Sequence, residues 1–79
     1  MGESEKNFAL EIKRLRKEKK LSQEKLADLM CMDRRRYWEV ENGKFNINVG
    51  YLQKIAMFYG IEIAVTIHGD GRYEIKIML

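Results

Sequence analysis

The chain has one cysteine and one histidine among its 79 residues. A lone cysteine cannot close an internal disulfide, so the sequence points to a reducing compartment, the cytoplasm. Neither Cys31 nor His68 has the companions for a metal-ligand set or a nucleophile–base pair, and no glycine-rich phosphate loop occurs. Those absences exclude most catalytic designs, so no enzyme activity, metal or cofactor is expected. No apolar run approaches the ~20 residues of a membrane span, and no secretory signal is visible at the N-terminus. A membrane partner is therefore not expected. The length allows one domain with a modest core, 1–79, and leaves no room for a separate effector domain. Oligomerisation would help so short a chain.

Charged residues make up 34% and apolar residues 46%, a globular balance. The net charge of +3 is mild but unevenly spread. Lys13, Arg14, Arg16, Lys17, Lys19 and Lys20 crowd one segment, which taken alone reads equally well as a solvated helix face. Arg34, Arg35 and Arg36 form a second cluster.

That second cluster lies in LSQEKLADLMCMDRRRYWEVENGK, residues 21–44, which reads as two short helices joined by a tight turn. Leu26, Leu29 and Met30 share one face of the first, with Ala27 beside them; Tyr37, Val40 and Glu41 share one face of the second. Ser22 and Asp33 are suitable N-caps, which leaves Cys31 and Met32 as the turn. Three cations then open the second helix, where the macrodipole disfavours positive charge by a few tenths of a kcal/mol each. Folding alone does not explain that placement. An anion lying along the helix does, and duplex DNA supplies one in its phosphates and guanine edges.

Upstream, Phe8, Ile12 and Leu15 form the core stripe of a helix from about Glu5 to Lys19, with Leu10 on the opposite side. Arg16 borders that stripe, and Glu41 lies on the buried face of the arginine-bearing helix. A half-buried carboxylate needs a partner, and Arg16 is the candidate for a structural ion pair. Downstream, Gly43 suits the position after a helix end, a loop runs through Asn46, and Asn48 caps a fourth helix from Val49 to about Tyr59, ended by Gly60. Val49, Leu52, Ala56 and Tyr59 form one apolar stripe of that helix and Tyr51, Ile55 and Phe58 a second, so it must bury two sides.

The order Leu21-Ser22-Gln23, Leu26-Ala27, Glu41 and Asn42-Gly43-Lys44, with Leu15-Arg16 before it and Leu52, Ile55 and Ala56 after it, resembles the helix-turn-helix of the lambda-repressor/Cro (XRE) family. The resemblance covers roughly residues 8–61. It implies a mainly α, four- or five-helix DNA-binding domain whose third helix enters the major groove. It also implies the Arg16–Glu41 pair. Arg34, Arg35 and Glu39 match base-contacting positions, and Gln23, Asn42 and Lys44 match backbone-contacting ones. Helical position adds Trp38 to the outward, base-facing set and Arg36 to its phosphate-facing flank. Glu39 either accepts from cytosine N4 or orients Arg35. Trp38 packs on the sugar-phosphate wall or a thymine methyl, or else covers the first helix or a dimer contact. Cys31 departs from the family's usual glycine, and if it takes positive φ it is strained by about 1 kcal/mol.

From Ile61 onward the period becomes two. Ile61, Ile63, Val65 and Ile67 alternate with Glu62, Ala64, Thr66 and His68, and Tyr73, Ile75, Ile77 and Leu79 alternate with Arg72, Glu74, Lys76 and Met78. A two-residue turn would set Ile67 against Glu74. A three-residue loop, Gly69-Asp70-Gly71, sets Ile67 opposite Tyr73, Val65 opposite Ile75 and Ile63 opposite Ile77, and is chosen with Gly71 left-handed. The tail, 61–79, is thus a two-stranded β-hairpin following the helical part, 5–60. An isolated hairpin is marginal in water. Ile63, Val65, Ile67, Tyr73, Ile75 and Ile77 are expected to cover the fourth helix and join two chains as one sheet.

The leading expectation is a sequence-specific regulator binding double-stranded DNA as a homodimer, a repressor on an inverted repeat. The alternative is an antitoxin that binds both its operator and a toxin protein, since some antitoxins resemble this family with a dimerising β-strand after the helices.

Overall fold

The computed structural model describes residues 3–44 and 48–78. The chain forms four helices, α1 (Glu3–Glu18), α2 (Gln23–Leu29), α3 (Arg34–Glu41) and α4 (Val49–Tyr59), followed by strands β1 (Glu62–Ile67) and β2 (Tyr73–Met78). Met1, Gly2, Leu79 and the loop through Asn46 lie outside the described residues.

Local chemistry sets the starts of α2, α3 and α4. The side chains of Ser22, Asp33 and Asn48 accept hydrogen bonds from the backbone N–H groups of Lys25, Arg36 and Tyr51, each at 3.1 Å. These are the donors that an opening helical turn leaves without partners.

The helix ends share one device. After α1, Lys20 turns left-handed (φ 57°) while Leu21 N–H donates to Arg16 O; after α2, Cys31 does so (φ 54°) while Met32 N–H donates to Ala27 O. After α3, Gly43 takes φ 66° while Lys44 N–H donates to Glu39 O. This is the Schellman arrangement, which satisfies carbonyls that would otherwise be orphaned. The third uses glycine, as does the end of α4, where Gly60 takes φ 66° while Ile61 N–H donates to Ala56 O; the first two do not. Cys31 therefore carries the strain its position implied, and Cys31→Gly should raise the unfolding free energy by about 0.5–1 kcal/mol, measured by urea denaturation. An unchanged or lower midpoint would show that the turn is relaxed as it stands.

The core gathers Phe8 and Ile12 from α1, Leu26 and Ala27 from α2, Tyr37 and Val40 from α3, and Leu52 and Ile55 from α4. Two expected core positions lie outside it. Leu29 is 51% exposed, because the buried face of the short α2 centres on Leu26, Ala27 and Met30. Val49, in the first turn of α4, is 75% exposed.

The hairpin has the three-residue loop. Ile63 faces Ile77, Val65 faces Ile75 and Ile67 faces Tyr73, with Gly71 at φ 93°. Its placement differs from the expectation in one respect. β2 lies along α1, where Asn7, Phe8 and Glu11 line a shallow groove with Ile75, Lys76 and Ile77. Ile75, 2% exposed, is part of the central core. α1 offers an unfilled apolar flank beside Phe8, so the hairpin closes the core there, while β1 retains a lighter contact with α4. No described helix is long and apolar enough to cross a membrane.

Candidate nucleic-acid interface

The face of α3 opposite Tyr37, Val40 and Glu41 carries Arg35, Trp38, Glu39 and Asn42, with Arg34 and Arg36 to either side. A helix anchored on one side by three buried residues projects the other side into solvent as a fixed ridge. Its orientation is set by the cluster beneath it.

That cluster centres on Glu41. The Arg16 guanidinium donates through Nε to one carboxylate oxygen at 2.6 Å and through Nη2 to the other at 3.1 Å, and Gln23 Nε2 donates at 3.1 Å. Arg16 Nη1 also donates to Leu21 O at 2.7 Å. One guanidinium thus joins α1, the α1–α2 turn and α3. Burial pushes the Glu41 carboxyl up, but the Arg16 hydrogen bonds, the nearby Tyr37 hydroxyl and the Gln23 amide outweigh it and hold the group below the usual carboxylate range. The Tyr37 and Tyr59 hydroxyls are buried without a well-formed hydrogen bond among the described residues, and burial pushes both phenols up.

The arginines opening α3 are not equivalent. Arg34 places Nε and Nη2 on the two oxygens of Asp28 at 3.3 and 3.0 Å, with Nη1 3.5 Å from Glu24. Arg36 Nη1 lies 3.5 Å from Glu39. Arg35 is exposed and has no ion-pair partner among the described residues. Asp33, as the N-cap of α3, places a carboxylate where the macrodipole favours one and offsets part of the cost of three adjacent cations.

At the other end of the ridge, Trp38 is 44% exposed with Lys44 Nζ 5.8 Å from its ring centroid, a cation–π distance. Asn42 Nδ2 donates to Trp38 O at 2.8 Å. Gln23 sits at the N-terminus of α2 with one amide hydrogen on Glu41, which leaves the second available. Lys54 Nζ donates to Cys31 O at 2.7 Å, tying α4 to the turn ahead of α3.

Arg34, Arg35, Arg36, Trp38, Glu39, Asn42 and Lys44 thus share one surface, with Gln23 at its edge and Arg16–Glu41 beneath. The expected hairpin residues divide differently: Ile75 is internal, whereas Ile67 is 79% exposed. Two features of the site went unread in the sequence, the Asp28–Arg34–Glu24 contact and the Gln23–Glu41 bond. Glu24 and Asp28 are four apart on α2, so a same-face acidic pair was available as a signal for the first. No group of three described His, Cys, Asp or Glu residues could hold a metal ion.

The helix-turn-helix family profile matches residues 12–65. A control protein, C.MunI, from a Mycoplasma species is 40% identical over 65 residues, which span 81% of this chain and 88% of that protein. No solved structure matches the chain. The profile spans all of α2, the turn and α3, the elements that carry the arginine ridge, and so the chain belongs to the lambda-repressor/Cro-like (XRE) helix-turn-helix family of DNA-binding transcriptional regulators.

Proposed function

We propose that the protein is a sequence-specific repressor that binds an inverted-repeat operator as a homodimer, laying α3 of each copy in the major groove. The observation that carries this reading is Arg35, exposed and without an ion-pair partner among the described residues, on the outward face of a helix anchored by Glu41. An arginine so placed suits paired bonds to guanine O6 and N7. Trp38, Glu39 and Arg34 are its neighbours toward the bases, and Gln23, Arg36, Asn42 and Lys44 face the phosphates. The designation of the Mycoplasma relative as a control protein supports a regulatory role. Repression then follows from occupancy of the operator.

The edge of β1 supports the dimer. His68 N–H donates to Arg72 O at 2.8 Å, and the alternation of an antiparallel ladder then turns Thr66, Ala64 and Glu62 toward β2. The N–H and C=O groups of Ile63, Val65 and Ile67 are thereby directed away from β2. A second β1, antiparallel about Val65, would receive them. It would set Ile63 against Ile67 and Glu62 against His68 of the other copy, a pairing of apolar with apolar and acid with imidazole.

Val65→Pro removes one outward N–H while sparing the β1–β2 ladder. It should weaken the dimer by about tenfold or more, the loss of roughly one or two hydrogen bonds per copy, read by sedimentation equilibrium. Binding to a duplex with two half-sites one helical turn apart should weaken in parallel, with little change on a single half-site. An unchanged dimer would exclude this edge as the contact. Equal wild-type affinity for one and two half-sites would exclude the inverted-repeat reading.

A further inference from the structure

An ion pair joins α2 to the first arginine of α3. Both Arg34 and Asp28 are more than half exposed, so their pairing contributes little to stability. Its geometry is nonetheless specific. The two Asp28 oxygens occupy the Nε/Nη2 edge of the guanidinium, at 3.3 and 3.0 Å. That fork-to-fork arrangement fixes the plane and direction of a side chain that otherwise has many rotamers. A guanidinium has a second bidentate edge, Nη1/Nη2. Only Glu24 approaches it among the described residues, at 3.5 Å from Nη1, and Glu24 is 74% exposed and free to change rotamer and move aside.

For a helix that reads DNA, this arrangement acts in two ways. An arginine already held in one orientation loses less side-chain freedom when it meets a guanine edge. An arginine already neutralised by a carboxylate is a weaker partner for phosphates, which carry no sequence information. Both effects act in the same direction, toward a larger ratio of specific to non-specific affinity. Arg35 has no such carboxylate among the described residues, so the two adjacent arginines differ in kind.

We propose that Asp28 is a specificity-determining positioning residue: it holds the side edge of Arg34 so that the other edge is presented to a base and the charge is withheld from phosphates. This rests on the reading of α3 as the groove-entering helix. It assigns to α2 a part in sequence choice without direct contact with the bases.

The test compares the wild type with Asp28→Asn, Arg34→Ala and the double variant, by fluorescence anisotropy on a selected duplex and on a scrambled one over a range of salt. Asparagine keeps the size of the side chain and removes its charge, and circular dichroism checks that the fold is retained. Asp28→Asn should bind the scrambled duplex more tightly, with a salt slope steeper by about 0.9 for the one further phosphate that Arg34 then neutralises. The ratio of specific to non-specific affinity should fall by about fivefold or more, the lower end of what one well-placed arginine–guanine pair discriminates. In the Arg34→Ala background the same substitution should leave the ratio unchanged, because Asp28 acts through Arg34. A ratio that Asp28→Asn does not lower, or lowers equally without Arg34, overturns the inference and leaves the DNA-reading function standing. A wild type that shows no preference for any duplex overturns that function, and this inference with it.

Discussion

Arg16→Met should destabilise the protein by about 3–5 kcal/mol at neutral pH, a large fraction of the stability of a chain this short. The side chain of Glu41 is 1% exposed, and without Arg16 it keeps only the Gln23 amide as a close donor among the described residues. The cost comes from the buried carboxylate left without its cation more than from the loss of attraction. A pH series separates that cause from a packing defect. In the wild type the Glu41 carboxyl titrates below its ordinary value of 4.5, so its contribution is fully present above that pH and is lost as pH falls through the depressed folded value. In Arg16→Met burial, the largest single influence, is opposed only by the Tyr37 hydroxyl and the Gln23 amide, so the folded value is expected to rise above the unfolded one and the sign to reverse: the penalty is present at neutral pH and relieved in acid. The gap between the two proteins should therefore narrow steadily below about pH 5. A gap that is constant with pH would show that Arg16 serves only as packing. The double variant Arg16→Met/Glu41→Leu should recover much of the loss, since replacing both members of a buried pair by apolar groups is often nearly neutral.

Arg35→Ala is expected to reduce affinity for the operator by about 5- to 150-fold, the ~1–3 kcal/mol of one bidentate arginine–guanine pair, with a far smaller effect on scrambled DNA. Arg35 is the side chain for which this separation should be cleanest. Arg34 is held by Asp28 and approached by Glu24, and Arg36 lies near Glu39, whereas Arg35 gives up no ion pair with a described residue. Equal losses on both duplexes, with the salt slope shallower by roughly one phosphate's worth, would identify Arg35 as a backbone-binding side chain.

Much of this architecture was legible in the chain because the signals are local. Ser22, Asp33 and Asn48 cap the helices they precede, since a short oxygen-bearing side chain has little else to do at such a position. The hairpin register followed from pairing like faces, and only a three-residue loop achieves that with Gly69-Asp70-Gly71. The Arg16–Glu41 contact could be anticipated because a carboxylate on a buried helix face has few acceptable partners.

What was not legible depends on how elements meet in space. The period of β2 shows that Ile75 faces inward but not that α1 is the surface it meets. In the seven-residue α2 a turn or two cannot define the centre of a stripe, so Leu29 reads as core and stands in solvent. Arg34 is six residues from Asp28, a separation that neither helix spacing nor strand spacing brings together; the tight turn at Cys31 does so.

Selection from random duplex DNA by the purified protein, at near-physiological salt so that phosphate binding is held down, tests the central claim most directly. Enrichment of an inverted repeat containing guanines within reach of Arg35, with half-sites about one helical turn apart, is the predicted result. A folded protein that enriches no sequence would contradict it.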